Sequence, residues 1–224
     1  MTGPPRRPAA MRGQLSRASV LEAGLEIARE EGLARLTMRR LAEALGVEAM
    51  SLYNHVRDKR DLLNGLCGLV IARMPRPGPA LPWRDRLEAV CLLLYETLCD
   101  NPWMVTAITS EQTSPAGADT LEGLEVIIAI LEEAGLGPAQ RVSAFRGLLA
   151  LCLGLVSAHT LGLTATRDEA LAQFRAWDPG QWRDAGTPRL AALAPQFLIT
   201  TPADDLRFML DAYLAAVERA GGRS

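Results

Sequence analysis

The sequence predicts an all-α protein with a small helix-turn-helix head and a larger helical body, and three observations carry that prediction. Apolar residues recur at helical spacing along most of the chain, and no window alternates as a strand would. Ser, Thr and Asp stand where helices should begin, and glycines stand where they should end. A Pro-rich run at 75–82 (PRPGPALP) cannot continue a helix and therefore separates head from body.

Residues 1–14 are rich in Pro, Gly and Arg without periodicity and read as a disordered arm. Ser16 should cap a first helix whose Val20, Gly24, Ile27 and Ala28 share a face beside Leu21 and Leu25, with Gly32 as its stop. Thr37 should cap a short second helix that turns Leu41, Ala42 and Leu45 inward and closes at Gly46. Residues 48–56 form a third. Asp58 opens a fourth, with Asp61 as a second acid in its first turn and Leu62, Leu63, Leu66, Leu69 and Val70 along it. The head thus spans 15–74, the linker 75–82 and the body 83–224.

In the body, helices are expected near 83–100, 103–112, 119–134, 138–164, 168–177 and 202–220. Asp119 and Thr201 serve as N-caps, Pro138 and Pro202 take first-turn positions, and Gly135 and Gly221 act as stops. Residues 178–188 read as a long loop. The most lipid-like run, 147–158, is shorter than the ~20 residues a spanning helix needs, so it reads as a buried helix or subunit contact. No secretory signal is visible at the N-terminus. The four cysteines lack C-x-x-C spacing and read as small buried hydrophobes in a reducing compartment. A cytoplasmic protein without a membrane partner is expected.

Charge is distributed unevenly. The chain carries a net −2, yet residues 1–73 hold twelve Lys+Arg against eight Asp+Glu, and the remainder holds twelve against eighteen. A basic head on an acidic body suits a nucleic-acid contact confined to one end.

Within the head, residues 37–45, Gly46-Val47 and residues 48–56 have the form of a helix-turn-helix. Leu52 and Val56, four apart, give the second short helix a buried stripe. Glu48, Ala49, Met50, Ser51, Tyr53, Asn54 and His55 are then left outward or edgewise. Such a helix enters the major groove with its first residues on base edges. Ser51 can bond a base or phosphate, Asn54 an adenine edge, and Ala49 and Met50 can touch a thymine methyl. Tyr53 and His55 reach phosphates, and Lys59 adds an ammonium beside the free N–H groups of the next helix. Thr37, Met38 and Arg39 open the supporting helix, where backbone contacts belong.

The run LEIAREEGLARLTMRRLAEALGVEAMSLYNHVRDKRDLL, residues 25–63, resembles the DNA-binding head of the TetR family of bacterial transcription repressors. Its glycine turn, its L-T-x-R-x-L-A-x-x-L-G-V and its L-Y-x-H-V-x-x-K-x-x-L-L segments stand in register. The resemblance implies DNA-contacting roles for Thr37, Arg39, Ser51, Tyr53, His55 and Lys59, and variable specificity positions at Ala49, Met50 and Asn54. Ala49-Met50 replaces the glutamine-proline of the tetracycline repressor and Asn54 its tryptophan, so a different operator is expected.

The body resembles the ligand-binding and dimerisation half of the same family, through the 83–102 segment with its Asn-Pro end and the terminal DDLRFMLDAYLAAVE. Helices 138–164 and 202–220 are apolar on more than one side, which suits a four-helix bundle shared by two subunits. The resemblance implies a homodimer on a palindromic operator, released by a small-molecule effector. Trp103, Met104, Phe145, Cys152, His159, Trp177 and Trp182 are candidate lining residues. His159 is the sole body histidine, which disfavours a tetracycline–metal chelate, and the apolar composition suits a hydrophobic ligand. No metal and no cofactor are expected.

Two alternatives stand beside this reading. One is a regulator that binds DNA constitutively, without an inducer. The other is an enzyme built on Cys152 and His159, but seven residues of helix separate such a pair by ~10 Å, too far for a dyad. No phosphate loop, metal-ligand cluster or G-x-S-x-G supports an enzyme either.

Overall fold

A computed structural model describes residues 15–110, 118–160 and 186–222, and every regular element among them is a helix. The all-α prediction holds. α1 (Arg17–Glu30) begins with a reciprocal cap: Ser16 Oγ accepts the Ser19 N–H at 3.1 Å and Ser19 Oγ accepts the Ser16 N–H at 2.9 Å. The chain leaves it through Gly32, whose φ of 84° costs a glycine little.

α2 (Met38–Leu45) starts at Thr37, whose hydroxyl accepts the Arg40 N–H at 3.1 Å, and ends at Gly46 in the left-handed region, φ 68°. α3 (Ala49–Leu52) is a single turn, shorter than the nine residues expected. Beyond Leu52 the chain tightens into i→i+3 bonds from Tyr53, Asn54 and His55, which end the regular helix. α4 (Lys59–Ala72) is capped by Asp58, which accepts the Asp61 N–H at 2.8 Å. Its Leu62, Leu63 and Leu66 are wholly buried, each contributing ~1.5–3 kcal/mol by leaving water. α1 and α4 pack closely because Gly65 has no side chain; a Cβ there would stand 2.6 Å from Leu21 Cδ2.

The body comprises α5 (Trp83–Asp100), α6 (Pro102–Thr109), α7 (Ala118–Glu133), α8 (Pro138–Thr160), α9 (Pro188–Ile199) and α10 (Pro202–Gly221). α5 packs on α7, α8 and α10, and α8 on α6, α7 and α10. α4 packs on both α1 and α7, so one apolar core runs unbroken from Val20 in the head to Leu214 in the body.

Further points of comparison with the sequence reading lie in the body. α7 starts at Ala118, which places Asp119 in the first turn, where the helix dipole still favours an acid, rather than at the cap. α9 is an element that the sequence reading does not include, and it continues through Pro195, where a ring ordinarily breaks a helix. α8 is continuous over 23 residues, so its length and apolar composition alone would let it cross a membrane. Its inner side instead packs on four body helices, and Arg141 near its start pairs with Glu132 at 2.7 Å. Finally, α10 runs through Gly221 rather than stopping before it. The helix expected at 168–177 and the loop expected at 178–188, up to residue 185, lie outside the described residues, and Pro188 already belongs to α9.

Candidate nucleic-acid interface and effector cavity

The α2–α3 unit is held from below by Leu41, Leu52 and Val56, all essentially inaccessible to water. With those inside, Met50 is left 74 % exposed and Tyr53 46 % exposed, large side chains that a core would have covered. Glu48 and Asn54 are exposed beside them, while Ala49, Ser51, His55 and Lys59 are half-buried along the edges. On α2, Arg39 projects into solvent, 3.3 Å from Glu43, and Met38 is half-buried on the core. Thr37 spends its hydroxyl on the cap, leaving one remaining lone pair and its proton for a phosphate. The structure therefore brings the whole predicted set to one end of the molecule.

One residue outside that set fixes its geometry. Arg17 Nη1 donates to the His55 carbonyl at 2.8 Å and to Asp61 Oδ2 at 3.2 Å, and its Nη2 donates to Asp61 Oδ1 at 2.9 Å. Asp61 Oδ2 also accepts the Arg57 N–H at 2.9 Å. The start of α1, the end of the recognition turn and the start of α4 are thereby tied together. The Arg17 guanidinium holds the Asp61 carboxyl below its ordinary pKa, with the Arg57 N–H adding to the effect against some desolvation. Only a non-local contact reveals Arg17; its 44-residue separation from Asp61 leaves no local sequence signal.

Below α4 lies a cavity of about 330 Å³ bounded by α4, the linker, α5, α6, α7 and α8. Val90, Leu94 and Leu98 form one wall at i, i+4 and i+8 of α5, and Phe145, Leu149 and Leu153 form a facing wall on α8. Cys67 and Ile71 of α4 close the head side. Burial pushes the Cys67 thiol up to about 12, so at neutral pH it stays protonated and behaves as another apolar group.

Met104 and Phe145, expected from sequence as lining residues, are on the wall. Trp103 and Cys152 are buried away from it. Trp103 sits in the α6 core, its indole N–H without an acceptor among the described residues, and Cys152 Sγ lies 3.6 Å from Cys91 Sγ. Cys67, Cys91 and Cys152 are buried and Cys99 half-buried, all as free thiols. The side chain of His159, and Trp177 and Trp182 altogether, lie outside the described residues. Asn64, Cys67 and the two leucine stripes were missed, because i, i+4, i+8 spacing marks an inward face without saying whether core or void lies beyond it.

A helix-turn-helix presenting an exposed polar edge on an all-helical body defines a DNA-binding regulator as the class. Residues 20–66 match the family described as bacterial regulatory proteins, tetR family, and residues 75–210 match the tetracyclin repressor-like C-terminal domain. The chain belongs to the TetR family of bacterial regulatory proteins, and is a transcriptional repressor of that family rather than an enzyme. An HTH-type transcriptional regulator of Saccharopolyspora erythraea is 32 % identical over 183 residues, covering 81 % of this chain and 75 % of that one. The HTH-type transcriptional repressor DrrR1 of Streptomyces coeruleorubidus is 32 % identical over 168 residues, 70 % of this chain and 58 % of that one. Among solved structures, Streptomyces coelicolor ActR in complex with actinorhodin superposes with a TM-score of 0.77 at 21 % identity, covering 94 % of this chain and all of that one.

Proposed function

We propose that the protein is a cytoplasmic homodimer that represses from a palindromic operator and is released by a small, largely apolar ligand held in the cavity beneath α4. The observation that carries this is the course of α4. Its first residue, Lys59, stands at the edge of the recognition surface, and Cys67 and Ile71, two to three turns on, form the cavity's head-side wall. A ligand that displaces those residues must move the helix that carries the DNA-facing end. Paired recognition elements must meet grooves ~34–36 Å apart, so a small rotation of each head suffices to lose one half-site.

In this reading Ala49, Met50, Ser51 and Asn54 face bases, with Glu48 exposed at their edge. Thr37, Met38, Arg39, Tyr53, His55 and Lys59 lie against the backbone. Dimerisation is supported by the outer faces of α8 and α10. Ser143, Gly147, Ala150 and Gly154 are exposed along one side of α8, with Phe208 and Met209 exposed on α10, 73 % and 44 %. Small residues permit close approach, and large apolar ones left in water favour a second copy. Candidate lining residues are Met104 and Phe145, joined by Leu94, Leu98, Leu149 and Leu153. The titration of purified protein against an inverted-repeat duplex from its own upstream region tests the proposal. Tighter binding than to a scrambled duplex, with two subunits bound per repeat, is expected; equal affinity for both would refute it.

A further inference from the structure

Among the described residues that line the cavity, Arg76 alone carries a formal charge, and no carboxylate is among them. It stands in Pro75-Arg76-Pro77, four residues after the end of α4, at the exposed edge of a space whose other side chains are apolar apart from Asn64. Its guanidinium is held from outside the wall by Glu122 of α7, Nη1 to Oε1 3.2 Å, with side chains 53 % and 63 % exposed. A solvent-exposed pair of this kind contributes little and exchanges readily. Resting on the reading of the cavity as the effector site, we propose that the effector is an amphipathic anion. Its apolar body fills the space between α5 and α8, and its carboxylate, phenolate or sulfonate takes the place of Glu122 on Arg76.

The chemistry of Arg76 supports this directly. A guanidinium presents a planar fork that matches an oxyanion, and it remains charged at any physiological pH. The cavity volume of about 330 Å³ accepts a two- or three-ring molecule, in the range of small-ligand sites. Position matters as well. Prolines on either side fix the backbone around Arg76, so a pull on its side chain passes to Met74 and the end of α4 instead of being absorbed by a loose linker. Loss of the Glu122 contact at the same moment removes an ion pair between the linker and α7. Anion capture and head movement are then one event.

The test uses two fluorescent probes that share a ring system: 8-anilinonaphthalene-1-sulfonate and its neutral counterpart N-phenyl-1-naphthylamine. Each is titrated into the full chain, Arg76→Gln, Glu122→Gln and the cavity-filling Leu149→Trp, with thermal unfolding confirming that each variant folds. Both probes should bind the wild type and both should be displaced by Leu149→Trp. Arg76→Gln should weaken the sulfonate probe about tenfold and leave the neutral one within about twofold, while Glu122→Gln should tighten the sulfonate probe alone. Equal effects of Arg76→Gln on both probes, or none on either, overturn the anion assignment and leave the cavity reading standing. Failure of both probes to bind in a manner sensitive to Leu149→Trp removes the cavity reading and the assignment with it.

Discussion

Arg29, in the last turn of α1, donates its Nε–H to Asn101 Oδ1 at 2.9 Å, across 72 residues of sequence. Asn101 is 3 % exposed and is the one buried polar residue among those described. Its Nδ2 donates to the Thr97 carbonyl at 2.8 Å, which satisfies the end of α5, and its own carbonyl accepts the Met104 N–H at 2.9 Å at the start of α6. Leu98 and Met104, on either side of it, line the cavity. A polar bond thus links the head to the cavity wall at a point separate from α4.

Asn101→Ala should cost about 2 kcal/mol, since the Arg29 Nε–H and the Thr97 carbonyl at the end of α5, both part-buried, lose their partner together. Arg29→Ala deletes the guanidinium and leaves the buried Asn101 Oδ1 without that donor, and should cost about 1 kcal/mol. A double-mutant cycle by urea denaturation should return a coupling of about 1 kcal/mol between the two sites. Additive losses would mean the bond carries no net energy.

The Arg17–Asp61 pair makes a prediction with a pH sign. Asp61 has a folded pKa below its unfolded one, so the unfolded chain binds more protons in the carboxylate range. The pair's contribution is complete above the unfolded value of ~3.9 and fades as pH falls through the lower folded value. Asp61→Asn should therefore cost about 1 kcal/mol at pH 7, discounted because Arg17 is nearly half exposed, and much less at pH 2. A deficit that stays the same size at both pH values would contradict an ionic origin.

Much of the head was legible in the sequence because its signals are local. Ser16, Thr37 and Asp58 cap as their positions imply, and Gly32 and Gly46 adopt the positive φ that a helix stop needs. Leu52 and Val56 face inward as their spacing requires. The cavity was only half legible: Met104 and Phe145 were reachable from chemistry, but the void between two leucine stripes depends on how far apart α5 and α8 sit. α9, with Pro195 inside it, is absent from the sequence reading, and Arg17 and Asn101 act through partners dozens of residues away, which no periodicity encodes.

At the recognition surface, Tyr53→Ala and Lys59→Ala should each weaken operator binding about tenfold while leaving the proposed dimer intact. Lys59→Ala should also lower the salt dependence, its log–log slope losing ~0.9 for one neutralised phosphate. Anisotropy titrations from low to moderate salt read both quantities. An unchanged slope would place Lys59 away from the phosphates.

The proposed α8 seam can be separated from folding at Ala150, which is exposed in the protomer. Ala150 is exposed at the middle of the Ser143–Gly147–Gly154 side, while Leu148, Cys152 and Val156 on the opposite side are buried and hold α8 to the bundle. Ala150→Glu places one carboxylate against its own symmetry mate in a twofold seam, where like charges deprived of water repel. The expected protein has unchanged helical circular dichroism, sediments as a monomer at micromolar concentration and loses preference for the inverted repeat, because one head alone reaches a single half-site. Ala150→Ser, small and neutral, should remain dimeric and bind normally. A dimer that survives Ala150→Glu would place the subunit contact elsewhere on the body.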